Sequence, residues 1–248
     1  MTNHKSLVIG WLYPELMNIY GDRGNITTLV KRCEWRGIKT EVKFLNPGFS
    51  DNKLMECGLL IMGGAQDKQQ SIVNKDLKKH RKTLSEMIEN EIPGLFVCGG
   101  FRFLGNYYRE ADGSIIDGLG IFDLYTENPG PNVPRLIGNI AIRASFDLNH
   151  KSVIVGFENH GGRTYLGDNL NPFGEVLKGH GNNDLGFEGA RYKNSFGTYL
   201  HGPILPKNPH FADYLIKLAL KVDKLPELDD KLENQAHSAI AKRLQIEI

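Results

Sequence analysis

An α/β fold with a mostly parallel sheet flanked by helices is predicted by three observations. Strand-like and helical stretches alternate through the first half of the chain, two of the strand-like runs are wholly apolar, and both run up to glycine pairs. Alternation of this kind implies right-handed crossovers and parallel pairing. Wholly apolar runs imply strands covered on both faces. At 248 residues, 40% hydrophobic and 24% charged, the chain suits one well-buried domain spanning residues 1–248.

The elements follow in order. Leu7 to Leu12 reads as a strand, Asn25 to Arg36 as a helix ended by Gly37, and Ile38 to Leu45 alternates as a half-buried strand does. Gly58 to Met62 is a buried strand closed by Gly63-Gly64. Asn74 to Asn90 has helical spacing at Leu77, Leu84, Met87 and Ile88. Gly94 to Val97 is a second buried strand, and Phe101 to Tyr108 reads as the helix after it. Thr126 to Pro134, with three prolines and a glycine, is a loop. Beyond it Arg135 to Arg143, Ser152 to Phe157 and Tyr192 to Leu200 read as strands, Pro209 to Val222 as a helix, and the segment from about Asp229 as a charged helical tail.

Charge and composition narrow the function. Thirty Lys+Arg against twenty-nine Asp+Glu leave a net charge of +1, which gives no electrostatic footprint for nucleic acid or an acidic membrane. No run approaches the ~18 apolar residues of a membrane span. Met1 to Ser6 lacks the pattern of a signal peptide, so a cytoplasmic location is expected. Three cysteines do not build a disulfide framework and suit a reducing compartment. There is no Cys/His cluster for a metal and no phosphate-binding P-loop.

Chemistry concentrates at Pro93-Gly94-Leu95-Phe96-Val97-Cys98-Gly99-Gly100-Phe101: a buried strand, a cysteine, two glycines, then a helix. This is the thiol counterpart of a nucleophile elbow, where a strained turn presents the nucleophile at the carboxyl end of the sheet. The helix N-terminus behind it is expected to favour thiolate. A buried cysteine closing a core strand is the plainer reading, and a matching base decides between them. Thr198-Tyr199-Leu200-His201-Gly202-Pro203 supplies one, a histidine at a strand end beside turn-forming residues. His201 is expected to take the thiol proton and return it to the leaving amine. Oxyanion donors are expected from the amide of Gly99 and from Gly63-Gly64, with Gly64 the second donor.

These residues resemble the class I glutamine amidotransferases, in the cobyric-acid-synthase-like branch. Cys98-Gly99-Gly100-Phe101-Arg102-Phe103-Leu104-Gly105 is similar to that branch's Cys-Gly-Gly-aromatic-Gln-x-Leu-Gly. Closer still is the resemblance to glutaminase subunits of lipid II isoglutaminyl synthases. Leu12 to Asn25, Met62 to Asp67, Gly156 to Thr164, Gly181 to Asn183 and Tyr199 to Pro206 carry it. The resemblance implies a flavodoxin-like fold and glutamine hydrolysis through a Cys98 thioester. It also implies transfer of ammonia to a Mur-ligase-like, MurT-type partner, in a heterodimer that amidates D-glutamate of lipid II in peptidoglycan synthesis. No cofactor is implied for this chain; ATP and Mg belong to the partner. The resemblance makes Arg135 the residue that binds glutamine, and a guanidinium suits an α-carboxylate. It makes Glu158, Asn159 and His160 possible loop contacts.

Two departures bear on mechanism. Arg102 stands where the branch commonly has glutamine. His201 is followed by Gly202-Pro203 instead of Pro-Glu, so the acid orienting it is Glu158 or Asp67 from this chain, or comes from a partner. Two other readings compete: amidation of a different acceptor, such as a corrinoid carboxylate, and a catalytically idle scaffold subunit, which Arg102 favours.

Overall fold

The computed structural model describes residues 6–19, 21–65, 67–148 and 152–247, with Asp67 and Lys68 described by their backbone alone. Tyr20 and Gln66, which belong to two of the motifs above, lie outside the described residues.

The first half builds strands β1 (Ser6–Leu12), β2 (Lys39–Leu45), β3 (Leu59–Met62) and β4 (Gly94–Val97). Between and after them lie helices α1 (Arg23–Glu34), α2 (Asp51–Met55), α3 (Asp67–Leu77), α4 (Arg81–Glu89) and α5 (Gly99–Leu104). The second half adds β5 (Tyr107–Arg109), β6 (Ile115–Asp117), β7 (Leu124–Glu127), β8 (Leu136–Ala144), β9 (Val153–His160) and β10 (Arg163–Leu166). Then come β11 (Gly174–Lys178), β12 (Phe187–Glu188), β13 (Ala190–Tyr192), β14 (Ser195–Thr198), α6 (Ile204–Lys207), α7 (Pro209–Leu220) and α8 (Lys231–Arg243).

The central sheet runs β13-β14-β4-β3-β1-β2. All its pairs are parallel except β13 with β14. β3 and β4 occupy its middle and are buried at every residue, which is why they read as unbroken apolar runs. Two smaller four-stranded sheets come from the segment between α5 and β13: β10-β7-β5-β6, in which β5 and β7 pair parallel, and the antiparallel β12-β11-β8-β9.

Several predicted elements change. The long helix expected over Asn74 to Asn90 starts earlier, at Asp67, and is broken by a 3-10 turn at Lys78–His80. There the buried His80 stacks on Phe49 and bonds Asp51, so a tertiary contact overrides helical spacing. The helix expected over Phe101 to Tyr108 ends at Leu104, and Tyr107 begins a strand that pairs with β6 and β7. The expected loop from Thr126 opens inside β7.

Close packing shapes the sheet around the site. A Cβ on Gly197 would lie 1.9 Å from Phe101 Cδ2, so β14 can pass beneath α5 only with glycine there. Asn208 clamps the opposite flank. Its amide donates to Val155 O (2.7 Å) and Ile204 O (2.8 Å) and accepts from Val155 N (2.9 Å), fixing the α6–α7 junction against β9. Arg32 of α1 anchors the C-terminal helix region through Asp213 (2.6 Å) and Asp230 (2.7 Å).

Candidate active site

Cys98 follows the buried strand β4 with φ 54° and ψ −104°, a left-handed backbone that a non-glycine residue adopts only under constraint. The constraint is visible: Cys98 N–H donates to Thr198 O (2.8 Å), Arg102 N–H donates to Cys98 O (3.0 Å), and Gly100 N–H donates to Gly63 O (3.1 Å). A Cβ on Gly100 would come within 2.9 Å of Met62 O, so the turn can sit this close to β3 because that position is glycine. The adjacent Gly99 amide favours the ionised sulfur. The expected elbow is therefore present.

The expected thiolate is not its resting form. α5 has six residues and ends at Leu104, so its dipole is small. Burial dominates and pushes the Cys98 thiol up, the Asp22 carboxylate adds to it, and Arg102, Arg135 and the Gly99 amide act against it. The balance of these effects favours the thiol over the thiolate at Cys98.

His201 follows β14 at the same carboxyl end of the sheet. Thr198 pairs with Val97, so the chain beyond β14 runs beside the cysteine turn, and His201 N–H bonds Phe157 O of β9 at 2.6 Å. The imidazole is 1% exposed, and burial lowers its pKa to about 3. His160, Arg102, Arg135 and Lys207 push in the same direction. The ring is neutral at working pH, as a proton acceptor must be.

Arg135 is exposed on the segment entering β8. Leu136 pairs with His160, which places the arginine opposite the end of β9. Its Nε donates to Asn159 Oδ1 and its Nη2 to Asn159 O, both at 3.0 Å. The guanidinium acts electrostatically on both Cys98 and His201. Arg102 acts on the same pair from below, nearly buried, with its guanidinium 4.2 Å over the Tyr108 ring and Nη2 bonded to Gln70 Oε1 (3.1 Å).

Glu158, Asn159 and His160 close strand β9 and are not a loop. Glu158 accepts the amides of His180 (2.8 Å) and Gly181 (2.9 Å), so it anchors the β11–β12 connection. Its Oε2 also lies 3.8 Å from His160 Nε2, so the side-chain contact it makes is with His160. The other acid considered for His201, Asp67, has its side chain outside the described residues. His160 is buried, stacks on Tyr199 at 3.8 Å and bonds Gly162 O through Nδ1.

The oxyanion donors divide. The Gly99 amide acts on the sulfur electrostatically, whereas the Gly64 amide donates to Asp22 Oδ2 at 3.1 Å. Asp22 and Glu188 were not singled out as site residues in the sequence. Asp22 lies within the Leu12–Asn25 motif, which is its sequence signal; Glu188 has none, since its role depends on meeting Thr198 and Tyr199 across the fold. Among the described residues no group of three or more His, Cys, Asp or Glu is placed to hold a metal. No described helix is long and apolar enough to cross a membrane.

A strained cysteine on a strand-to-helix turn, a buried neutral histidine at the same carboxyl end of the sheet and an exposed arginine whose charge acts on both make up the candidate site. The chain belongs to the CobB/CobQ-like glutamine amidotransferase domain family, which matches residues 8–209. It is 41% identical over 244 residues to the GatD subunit of lipid II isoglutaminyl synthase (glutamine-hydrolyzing) from Staphylococcus aureus, covering 96% of both chains. It is 41% identical over 239 residues to the GatD subunit from Streptococcus pneumoniae, covering 92% of this chain and 88% of that one. A probable cobyric acid synthase of Methanothermobacter thermautotrophicus is 31% identical over 170 residues, covering 64% of this chain and 33% of its own. In fold, a crystal structure of a glutamine amidotransferase superposes with TM-score 0.59 at 15% identity, covering 85% of this chain and 98% of that one. A Trypanosoma brucei CTPS glutaminase domain gives 0.54 at 10% identity, covering 88% and 96%.

Proposed function

We propose that this chain is the glutaminase subunit of a lipid II isoglutaminyl synthase. It hydrolyses glutamine to glutamate and ammonia through a Cys98 thioester and passes the ammonia to a Mur-ligase-like partner. The observation that carries the reading is the elbow itself. Cys98 is held at φ 54° on the turn after β4, at the same carboxyl end of the sheet as a histidine kept neutral by burial.

In this mechanism Arg135 pairs with the α-carboxylate of glutamine and aims the side-chain amide at Cys98. His201 takes the thiol proton as sulfur attacks the amide carbon. The Gly99 amide stabilises the oxyanion. The imidazolium then donates to the leaving ammonia, and water, activated by the same imidazole, hydrolyses the thioester. Arg102 adds positive charge beside the sulfur and supports an active enzyme over an idle scaffold. The 41% identity over nearly the whole of both chains favours the cell-wall acceptor over a corrinoid, whose synthases match about two thirds of this chain. ATP and Mg are placed on the partner, the pair working in the cytoplasm as a heterodimer. Because ammonia made without an acceptor wastes glutamine, partner binding is expected to raise the glutaminase rate.

The test is glutamine hydrolysis and lipid II amidation by this chain with its Mur-ligase-like partner. Cys98→Ala and Cys98→Ser should abolish ammonia release while the fold persists, and a glutamine-mimicking electrophile should label Cys98 and spare Cys33 and Cys57. Near-normal turnover by the alanine variant would overturn the reading.

A further inference from the structure

Asp22 stands immediately before α1, where an aspartate ordinarily caps the helix, yet its side chain makes no capping bond. It turns inward instead and is fully buried. Oδ2 accepts the Gly64 amide at 3.1 Å, and Oδ1 is buried with no hydrogen-bond partner among the described residues. The space for it comes from Gly63, where a Cβ would lie 2.3 Å from Oδ2. On its other side Gly64 borders the nucleophile: a Cβ there would lie 3.2 Å from Cys98 Cβ and 3.6 Å from Sγ. One glycine therefore separates a buried carboxylate from the sulfur.

This arrangement works against the chemistry in two ways. An N–H makes one strong hydrogen bond, so while Asp22 holds it the Gly64 amide is not available to an oxyanion. A carboxylate beside the sulfur also disfavours the negative charge that develops on thiolate and oxygen.

We propose that Asp22 is a brake on this site, a positioning residue whose carboxylate occupies the Gly64 amide in the resting chain and must let go of it to complete the oxyanion hole. The inference rests on the glutaminase reading given above and deepens it with a means of regulation. The segment carrying Asp22 is tied to both glycine pairs. Ile19 N–H donates to Gly64 O at 3.3 Å, and a Cβ on Gly99 would lie 3.2 Å from Met17 Cε. Its far end meets the turn after His201, where a Cβ on Gly24 would lie 2.3 Å from Pro203 Cγ. A shift of this segment moves the carboxylate, the Gly64 peptide and the histidine turn together. Burial raises the Asp22 pKa to about 6, the Gly64 bond opposing, so little free energy separates its charged and neutral forms at neutral pH.

Asp22→Asn keeps the shape and removes the charge. The first readout is the pH dependence of Cys98 alkylation by iodoacetamide in the chain alone, which needs no glutamine. The apparent thiol pKa should fall by about one unit, as expected for a charge removed a few ångströms away. The second is basal glutaminase kcat, which should rise about tenfold, short of the ~10²–10³-fold worth of a whole oxyanion donor because the asparagine oxygen can still accept the Gly64 amide. An unchanged or higher thiol pKa, or a lower kcat in a folded variant, would show that Asp22 supports the site and does not restrain it. A third readout uses the wild-type chain and so does not depend on the variant folding. In the covalent adduct of Cys98 with a glutamine-mimicking electrophile, the Asp22–Gly64 bond should be broken; the bond persisting at its resting length overturns the proposal. If wild type with its partner hydrolyses no glutamine, the functional reading falls, and the thiol titration still judges Asp22.

Discussion

Glu188 shows how burial sets the energetics of this site, and it yields a pH-dependent prediction. Its carboxyl group is fully buried at the end of β12, accepts the Tyr199 amide at 2.6 Å and has both oxygens 3.0 Å from Thr198 Oγ1. It thereby holds the stretch between the Cys98 amide's acceptor, Thr198 O, and His201. Burial raises its pKa from 4.5 to about 8 against the pull of those hydrogen bonds. The folded value lies above the unfolded one, so the folded state binds the extra proton. The associated stability is fully present below pH 4.5 and is lost as pH rises through 8. Within that window the loss is about 1.4 kcal/mol per pH unit, or about 5 kcal/mol across it. That is a large share of the ~5–15 kcal/mol of a typical domain. Glu188→Gln removes the titration and keeps an oxygen for the Tyr199 amide. Urea unfolding of both proteins from pH 5 to 8 measures the difference, in which the opposing titration of His201 cancels. Between pH 5.5 and 7.5 the wild type should lose about 1–1.5 kcal/mol per pH unit more than the variant. Parallel profiles would refute the argument that burial keeps this carboxyl protonated.

Three further outcomes follow from the geometry. His201→Ala should lower glutaminase turnover by the ~10²–10⁴-fold of a lost general acid/base, and His160→Ala should cost clearly less because that ring packs on Tyr199; steady-state kinetics ranks them, and the reverse order moves the base to β9. Arg135→Ala should raise the glutamine KM more than it lowers kcat, as expected of a substrate contact that is equal in ground and transition states; both constants unchanged would return it to the solvated surface. Arg32→Met should cost about 2–4 kcal/mol, less than the ~3–5 of a fully buried pair because its partners keep 23% and 21% exposure. Hydrogen exchange in α8 should rise with it, and unchanged protection there would show that the tail is held by other contacts.

What the sequence determined by itself was the local part of the structure. β3 and β4 were legible because a strand covered on both faces must be apolar throughout. The elbow was legible because a sharp strand-to-helix turn against a neighbouring strand needs glycines after the nucleophile. His201 could be matched to it because glycine and proline mark the chain reversal that brings a strand end to the site. The two smaller sheets were mostly missed, since strands of two to five residues such as β5, β6 and β12 carry too little periodicity to register, and their pairing joins segments far apart in the chain. Arg102, Glu158 and Glu188 show the larger limit. A charged residue looks solvent-facing in a sequence, and only the fold reveals that Arg102 is buried against Gln70 and Tyr108, that Glu158 holds the β11–β12 connection and that Glu188 is buried on Thr198 and Tyr199 with its pKa raised. The resting protonation of Cys98 was decided the same way. The helix behind it argued for thiolate, but desolvation depends on what the whole tertiary structure packs around the sulfur, and at this site it outweighs a dipole from six residues.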